Sequence, residues 1–234
     1  FSDATSFLTY LNVKGLVTFY GPSVMAGFAQ LKHAEPGYAG HIRDILYGDK
    51  FPYRYPRYEK WANGYKDWRN PELLGQFTEL QEDGDGLVII QGRGEVEGTL
   101  WGGCIEVLEF LKGTGFWPGE DFWNDKILFF ETSEEKPLPQ NVGYMLRNYG
   151  MQGIFDKVKA VMFGRPRDYS EEEKKELYSI VSSIVKEEFN APDLPIIMNA
   201  EYGHTDPKIV LPIGGRLKIN LDEKYLELLE SPFE

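Results

Sequence analysis

The sequence predicts an α/β protein organised in two parts, and three observations lead to this prediction. Short apolar runs typical of buried strands recur along the chain, the clearest being KILFFET (126–132) and AVMFG (160–164). Segments with helical spacing lie between such runs, and the most regular covers residues 170–189. Strands that alternate with helices are typical of a sheet with helices packed on it. The third observation is a change of composition near residues 51–76.

The first part begins with helix, strand and helix in turn. Residues 4–13 have helical spacing, LVTFY (16–20) is an apolar strand, and residues 23–33 again have helical spacing with Ser23 as their N-cap. This order is typical of a parallel α/β layer. We expect the first strand of that layer to lie before Phe1, which would leave strand 16–20 as an exposed edge.

The segment FPYRYPRYEKWANGYKDWRNPELLGQ (51–76) is rich in proline and aromatic residues and follows neither the helical nor the strand period. It is too long for a plain connector, so we expect a structured loop or a crossing between domains. The predicted boundary lies near residues 75–86, which divides the chain into residues 1–75 and 76–234.

The second part carries most of the predicted strands. Ser170 and Glu173 form a capping box at the start of the 170–189 helix. The other predicted helices cover 105–113 and 142–158. The predicted strands are two within 86–103, then 126–132, 160–164, 194–199, 208–213 and 216–220.

Composition excludes several classes of protein. The formal net charge of -12 argues against a nucleic acid polymer or an anionic membrane as partner, because neither gains from an acidic surface. No apolar run approaches the roughly 20 residues that a membrane-spanning helix needs. The single cysteine, Cys104, fits a reducing compartment, and we expect a cytoplasmic protein. We expect no metal and no cofactor, since no HExxH and no CxxC pattern occurs.

Histidine is scarce, and only one of the three is placed where a site is expected. His33 and His41 lie in or near helical stretches beside charged residues, which favours structural or solvated roles. His204 lies in a turn before a strand, in EYGHTDPKIVLPIG. A catalytic histidine needs a partner to orient it, and Glu131 would emerge at the carboxyl end of a buried strand. The alternatives are an ordinary turn histidine and a glutamate that merely begins a solvated loop.

Two nucleophiles compete on local features alone. Ser2 in FSDATS lies at a predicted turn into a helix, where its hydroxyl would be exposed and the N–H of Asp3 could stabilise an oxyanion. Cys104 in LWGGCIEVL also opens a predicted helix, and a helix N-terminus lowers the pKa of a thiol. Either residue is as readily a helix cap or a small buried side chain.

Several segments together resemble the LD-carboxypeptidase family of serine peptidases in order and spacing, and within it the MccF-like branch of microcin C immunity proteins. They are FSDATSFL, FYGPSVMAGFAQ, GEVEGTLWGGCIEVL, LFFETSEEKP, LRNYGMQGIFDKVKAVMFGRP and YGHTDPKIVLPIGG. The resemblance implies a remnant of an N-terminal Rossmann-like or flavodoxin-like α/β domain, followed by a C-terminal α/β domain with a mixed, swivelling-type sheet. It also implies that the chain is truncated at its N-terminus and lacks the glycine that precedes Phe1 in the family motif.

The resemblance assigns the nucleophile to Ser2, the orienting carboxylate to Glu131 and the general base to His204, with the N–H of Asp3 in the oxyanion hole. The family expectation is a cytoplasmic homodimer. Two substrate classes are implied: the L,D-bond of a murein tetrapeptide, and the amide of a peptidyl or aminoacyl nucleotide. A different class also stays open, a non-catalytic peptide-binding module or an inactive fragment.

The segment LWGGC bears on the choice of substrate. Trp101 could stack on a nucleobase, which favours the nucleotide class, and Gly102 and Gly103 are expected beside the substrate. Cys104 stands where the family is expected to have asparagine, which puts polar contacts to the substrate there in doubt. Trp61 and Trp68 are expected to help form a lid; the alternative for both is core packing.

Overall fold

The computed structural model describes residues 1–67 and 69–233. Its five α-helices are α1 (Ala4–Val13), α2 (Tyr38–Tyr47), α3 (Ile105–Glu109), α4 (Pro139–Met151) and α5 (Glu171–Ser183), the last continued by a π-helical turn, Ile184–Glu188. The predicted capping box of α5 is confirmed, with the side chain of Ser170 accepting from the N–H of Glu173 and the Glu173 carboxylate accepting from the N–H of Ser170. Among the described residues, no helix combines the length and apolar character needed to cross a membrane.

The strands form one large mixed sheet and two small ribbons. The strands are β1 (Thr18–Tyr20), β2 (Tyr53–Arg54), β3 (Lys60–Trp61), β4 (Gln81–Glu82), β5 (Val88–Gln91), β6 (Glu95–Cys104), β7 (Lys126–Glu131), β8 (Ala160–Gly164), β9 (Ile196–Ala200), β10 (Leu211–Ile213), β11 (Arg216–Asn220) and β12 (Tyr225–Leu228). The large sheet has the order β2-β12-β11-β6-β7-β8-β9-β5. Strands β6 to β9 are parallel and the outer strands antiparallel, which confirms the predicted α/β class with a mixed sheet.

The core lies on both faces of the central parallel strands. Residues 127–131 of β7 and all of β8 are buried, as the continuous apolar runs predict. Neighbouring β7 side chains point to opposite faces. Phe130 packs against Tyr149 of α4, with ring centroids 4.9 Å apart, whereas Phe129 packs against Tyr20 of β1 at 5.3 Å. Helix α4 therefore lies on one face of the sheet, and β1 of the N-terminal segment lies on the other.

The N-terminal segment departs from its prediction in two ways. Strand β1 pairs antiparallel with β10, in the register Thr18 to Ile213, so among the described residues it belongs to a ribbon of its own. Residues 23–33 contain turns and one 3₁₀ turn, Phe28–Gln30, where an α-helix was predicted. The predicted helix fails at Gly27, which packs so tightly on Pro22 that a Cβ there would lie 2.2 Å from the proline Cβ.

The boundary near residues 75–86 stays a prediction. Two strand pairings cross it: β2 forms the edge of the large sheet beside β12, and β3 pairs with β4. Backbone hydrogen bonds therefore connect the two predicted parts of the chain.

Candidate active site

The turn that carries Ser2 has a strained backbone. Ser2 has φ +60°, a left-handed conformation that few residues other than glycine adopt, and its carbonyl accepts from the N–H of Thr5 at 2.8 Å as α1 begins. Strain of this kind concentrates at functional sites, and a sharp strained turn into a helix is how a nucleophile elbow exposes its hydroxyl. Asp3 follows at the N-cap position of α1.

Glu131 lies where the sequence predicts it, at the carboxyl end of β7. Its side chain is completely buried. One carboxylate oxygen, Oε2, lies 2.6 Å from Nδ1 of His204, and the other, Oε1, accepts from the hydroxyl of Tyr20 at 2.5 Å. Each oxygen of the buried carboxylate thus has a partner, as a buried charge requires.

His204 is held against the serine turn. Its ring is buried and meets the ring of Phe1 edge-on, with centroids 4.7 Å apart, so the residue before Ser2 touches the imidazole. Its second nitrogen, Nε2, lies 2.9 Å from Oε2 of Glu134, but the two groups are not aligned for a hydrogen bond. Within the described part of the chain, Nε2 has no hydrogen-bond partner, and that includes Ser2.

Gly203 lets the histidine loop approach the carboxylate. It has φ +103°, and a Cβ there would lie 2.9 Å from the Cβ and from Oε2 of Glu131. Any other residue would push the loop away or displace the carboxylate from His204. The glycine in YGHTD is therefore a steric requirement of the Glu131–His204 contact.

A buried ion pair that the sequence analysis missed lies beside the same turn. Nζ of Lys208 is 2.8 Å from Oδ1 of Asp206 and 4.3 Å from the centroid of the Phe1 ring. The Lys208 side chain is almost fully buried. The acidic and basic residues of HTDPK were the available sequence signal for this ion pair. Only the folded loop shows that the side chains of Asp206 and Lys208 both point into the protein.

Cys104 is a poor candidate nucleophile in this structure. Its side chain is buried, and its thiol donates weakly to Oε2 of Glu106 at 3.4 Å. Burial and the nearby carboxylates of Glu131 and Glu106 raise the pKa of the thiol well above its ordinary value. The expectation that the helix N-terminus would lower that pKa is wrong, because burial dominates. The structure therefore argues against Cys104, and Ser2 as the nucleophile stays a prediction.

The predicted stacking of Trp101 on a nucleobase is wrong for this structure. The indole is completely buried and is surrounded by the rings of Trp117, Phe122 and Trp123, with centroids 5.0 to 5.8 Å away. Trp101 therefore belongs to an aromatic cluster in the core, beside strand β6. A position in a central parallel strand was the signal that predicted burial.

The two glycines after Trp101 serve close packing. A Cβ on Gly102 would lie 1.8 Å from the carbonyl oxygen of Phe129 on the neighbouring strand. A Cβ on Gly103 would lie 2.5 Å from the Thr5 side chain, which also accepts from the N–H of Cys104 at 3.0 Å. Gly102 thus permits close packing against β7, and Gly103 lets α1, with the serine turn at its start, approach β6. Their predicted contact with substrate stays a prediction.

Among the described residues, the remaining tryptophan and histidines singled out in the sequence lie away from the Glu131–His204 pair. Trp61 is buried against the guanidinium of Arg165, 4.8 Å from its ring centroid, so its predicted role in a lid is wrong. Trp68 lies outside the described residues. His41 is structural, as predicted: its Nε2 accepts from the N–H of Val210 at 2.9 Å, and burial lowers its pKa to about 4. His33 stacks on Phe77.

No group of three or more histidine, cysteine, aspartate or glutamate side chains that could hold a metal ion occurs among residues 1–67 and 69–233. The side chains that lie at or beside the serine turn include a serine hydroxyl, an imidazole and a carboxylate. Such a set performs acyl transfer when the hydroxyl lies within reach of the free imidazole nitrogen.

Comparison with known proteins places the chain in a family. A model described as the LD-carboxypeptidase C-terminal domain matches residues 97–219, just over half of the chain. The microcin C7 self-immunity protein MccF of Escherichia coli is 26% identical over 235 residues, covering 99% of this chain and 64% of that protein. A Bacillus subtilis protein named as a probable murein peptide carboxypeptidase is 24% identical over 225 residues, covering 96% and 60%.

A solved structure agrees on the fold. The MccF-like protein from Streptococcus pneumoniae, in complex with AMP, superimposes with a TM-score of 0.82 at 24% identity, covering 99% of this chain and 68% of that one. The chain spans a little under two thirds of the length of the two curated relatives.

Proposed function

Given that the chain belongs to the LD-carboxypeptidase family, we propose that it provides the catalytic residues of a serine-type hydrolase that cleaves amide bonds. The observation that carries the proposal is the buried contact of 2.6 Å between Nδ1 of His204 and Glu131, set against a strained serine turn. In this proposal Ser2 is the nucleophile, His204 the general base, and Glu131 the group that orients the imidazole.

The reaction begins when Nε2 of His204 takes the proton from the Ser2 hydroxyl as the serine oxygen attacks the amide carbonyl. The N–H of Asp3 donates to the developing oxyanion, a contribution of about 3 to 4 kcal/mol for each such donor. His204 then returns the proton to the leaving amine, which leaves an acyl ester on Ser2. A water molecule, deprotonated by His204, hydrolyses that ester and regenerates the serine.

In this mechanism the side chain of Glu134 must move away from Nε2 of His204. It is half exposed and lies 2.9 Å from Nε2, on the side of the imidazole that has to face the serine. Since its contact with Nε2 lacks hydrogen-bond alignment, a substrate entering the site replaces a weak contact.

For the substrate we favour an amide in a peptidyl or aminoacyl nucleotide, of the microcin C type, and a role in self-immunity. The likeness to MccF of Escherichia coli and to an MccF-like protein that binds AMP supports this choice. The burial of Trp101 removes the support that the sequence pattern offered. The likeness to a murein peptide carboxypeptidase supports a second candidate, hydrolysis of the L,D-bond of a murein tetrapeptide in cell-wall recycling. A homodimer in the cytoplasm remains part of the proposal.

The test is hydrolysis by the full-length protein of two substrates, an aminoacyl sulfamoyl adenosine and an L,D-tetrapeptide. We expect Ser2→Ala to lower kcat/KM on the preferred substrate by about 10⁴-fold or more. The matched control is Ser6→Ala, which removes a hydroxyl from the same helix start, one that donates only to the carbonyl of Asp3. Full activity in Ser2→Ala would show that another residue is the nucleophile, and no hydrolysis of either amide by the unaltered protein would leave a non-catalytic binding module as the better account.

A further inference from the structure

Tyr20 occupies a position that neither the sequence pattern nor the proposed reaction assigns. It is the last residue of β1, and its side chain is completely buried. Its hydroxyl donates to Oε1 of Glu131 at 2.5 Å, the oxygen that does not face His204. The tyrosine therefore contacts the proposed orienting carboxylate from the side opposite the imidazole.

This hydrogen bond constrains a group that would otherwise rotate. A carboxylate held through one oxygen turns easily about its terminal bond, because that torsion has a broad energy profile. With Tyr20 on Oε1 and His204 on Oε2, both oxygens have fixed partners. Burial and the negative charge of Glu131 raise the pKa of the Tyr20 hydroxyl well above its ordinary value, so it remains a proton donor.

Tyr20 is itself held by backbone and packing. Its strand pairs with β10, where it lies opposite Leu211, and β10 follows the loop that carries His204. Its ring packs edge-on against Phe129, two residues before Glu131 on β7. A side chain locked by packing positions a hydrogen-bond partner more accurately than one on a loose loop. Strand β1 thus connects the histidine loop with the strand that ends in the carboxylate.

We infer that Tyr20 is a positioning residue for the hydrolysis, which fixes the Glu131 carboxylate so that His204 presents Nε2 towards Ser2. This inference rests on the proposed function. In the proposed reaction Tyr20 acts through Glu131, whose carboxylate accepts its hydrogen bond. The N-terminal segment accordingly supplies two parts of the site: the nucleophile itself and the residue that orients the carboxylate.

Tyr202 provides a matched control in the same core. It is also completely buried, its ring also packs edge-on against Phe129, with centroids 5.6 Å apart, and its hydroxyl donates to the carbonyl of Met162 at 2.8 Å. The change Tyr202→Phe removes one buried hydroxyl from a second tyrosine that packs against Phe129. It leaves both hydrogen bonds of the Glu131 carboxylate in place.

The experiment compares Tyr20→Phe, Tyr202→Phe and Ser2→Ala in the full-length protein. A hydrogen bond to a charged group of this kind corresponds to a change of about 10- to 100-fold in rate. We expect Tyr20→Phe to lower kcat by that factor with KM unchanged, and Tyr202→Phe to keep kcat. In proton NMR spectra of the resting protein, the downfield resonance of the proton between His204 and Glu131 should move or disappear in Tyr20→Phe and stay in place in Tyr202→Phe.

A second variant keeps the shape of the core. Replacing Tyr20 by 3,5-difluorotyrosine retains ring and hydroxyl but makes the hydroxyl a stronger donor, so the same resonance should shift and kcat should change at constant KM. If Ser2→Ala abolishes activity while both Tyr20 variants match Tyr202→Phe in kcat and in the NMR spectrum, the inference about Tyr20 is wrong and the proposed function stands. If Ser2→Ala keeps its activity, the proposed function itself is wrong.

Discussion

Two buried clusters of charged and polar side chains lie at the carboxyl ends of the central parallel strands, and they differ in the chemistry that they can support. The first is built on Glu131, at the end of β7, with Tyr20 and His204 on its two oxygens. The second is built on Arg165, directly after β8: its Nη2 lies 3.1 Å from Asp83 and 3.9 Å from Glu201, which follows β9. Both clusters are almost fully removed from water.

The difference lies in the nitrogen-bearing side chain that contacts the carboxylate. An imidazole gains and loses a proton near neutral pH, and His204 keeps one nitrogen without a hydrogen bond beside a strained serine turn. A guanidinium stays protonated throughout, so Arg165 cannot act as a base. Its contacts with Asp83 and Trp61 instead fasten the segment that contains β3 and β4 to the sheet. Both clusters are buried and both lie at strand ends. The Glu131 cluster differs in having a side chain that can exchange a proton beside the proposed nucleophile, whereas the Arg165 cluster has a structural role.

The largest difference that we expect between the two clusters is in what their loss does to activity. We expect His204→Gln to lower kcat/KM by about 10⁴-fold, because the proposed reaction has His204 as its only general base. The melting temperature should change little, since glutamine also offers a donor to Glu131. Steady-state kinetics together with thermal unfolding check both statements; a variant that keeps its rate would remove the distinction between the clusters.

The next largest effect is on stability. In Arg165→Met, the buried carboxylate of Asp83 loses its cation, and breaking a buried ion pair in this way costs about 3 to 5 kcal/mol of unfolding free energy. Below the unfolding transition, kcat should stay within a few-fold of the unaltered protein. Urea unfolding followed by fluorescence measures the first quantity. A loss of activity at full stability would show that the Arg165 cluster takes part in the reaction.

A smaller effect follows from Glu201. Burial raises the pKa of its carboxyl to about 7, and the ordinary value in an unfolded chain is about 4.3. Since the folded protein binds this proton more tightly, the stabilising contribution is complete below about pH 4 and is lost as pH rises through about 7. Between these limits it amounts to about 3 kcal/mol.

Glu201→Gln isolates that contribution because an amide does not titrate in this range. The difference in unfolding free energy between the unaltered protein and the variant should shift by about 3 kcal/mol in favour of the variant between pH 4 and pH 8. A difference that is independent of pH would mean that Arg165 keeps Glu201 ionised throughout. Denaturant unfolding at a series of pH values makes the measurement.

The smallest effect belongs to a region outside both clusters. Ser170→Ala removes the side-chain half of the α5 capping box and should destabilise the fold by about 1 kcal/mol, with activity unchanged. Ser183→Ala, at the other end of the same helix, is the control, since its hydroxyl contacts only the exposed side chain of Glu187. Equal melting temperatures for these two variants would contradict the value assigned to the cap.

The central parallel strands and the positions of Glu131 and His204 were accessible from local pattern, whereas the choice of Ser2 over Cys104 came from the resemblance to a known family. Apolar runs specify β7 and β8, and Glu131 follows from its place at the end of one of them. Long-range partners were not accessible from the sequence. The hydrogen bond from Tyr20 to Glu131 joins residues 111 positions apart, and the helical and strand periodicities indicate only local structure. The same holds for Arg165 and Asp83, which lie 82 positions apart.

Two errors have an instructive physical origin. Trp101 was assigned by the chemistry of its ring, whereas its place in a central strand between buried neighbours decides its environment. The segment 23–33 was assigned by spacing, whereas Gly27 and its contact with Pro22 stop the helix. In both cases tertiary packing overrides a local preference.

The most direct test of the central claim is to react the full-length protein with a fluorophosphonate and locate the adduct by peptide mass spectrometry. The account predicts one phosphonyl group on the peptide that contains Ser2, lost in Ser2→Ala and formed far more slowly in His204→Gln. Labelling of another residue, or labelling of Ser2 at an unchanged rate without the imidazole of His204, would contradict the assignment of a serine activated by the buried Glu131–His204 pair.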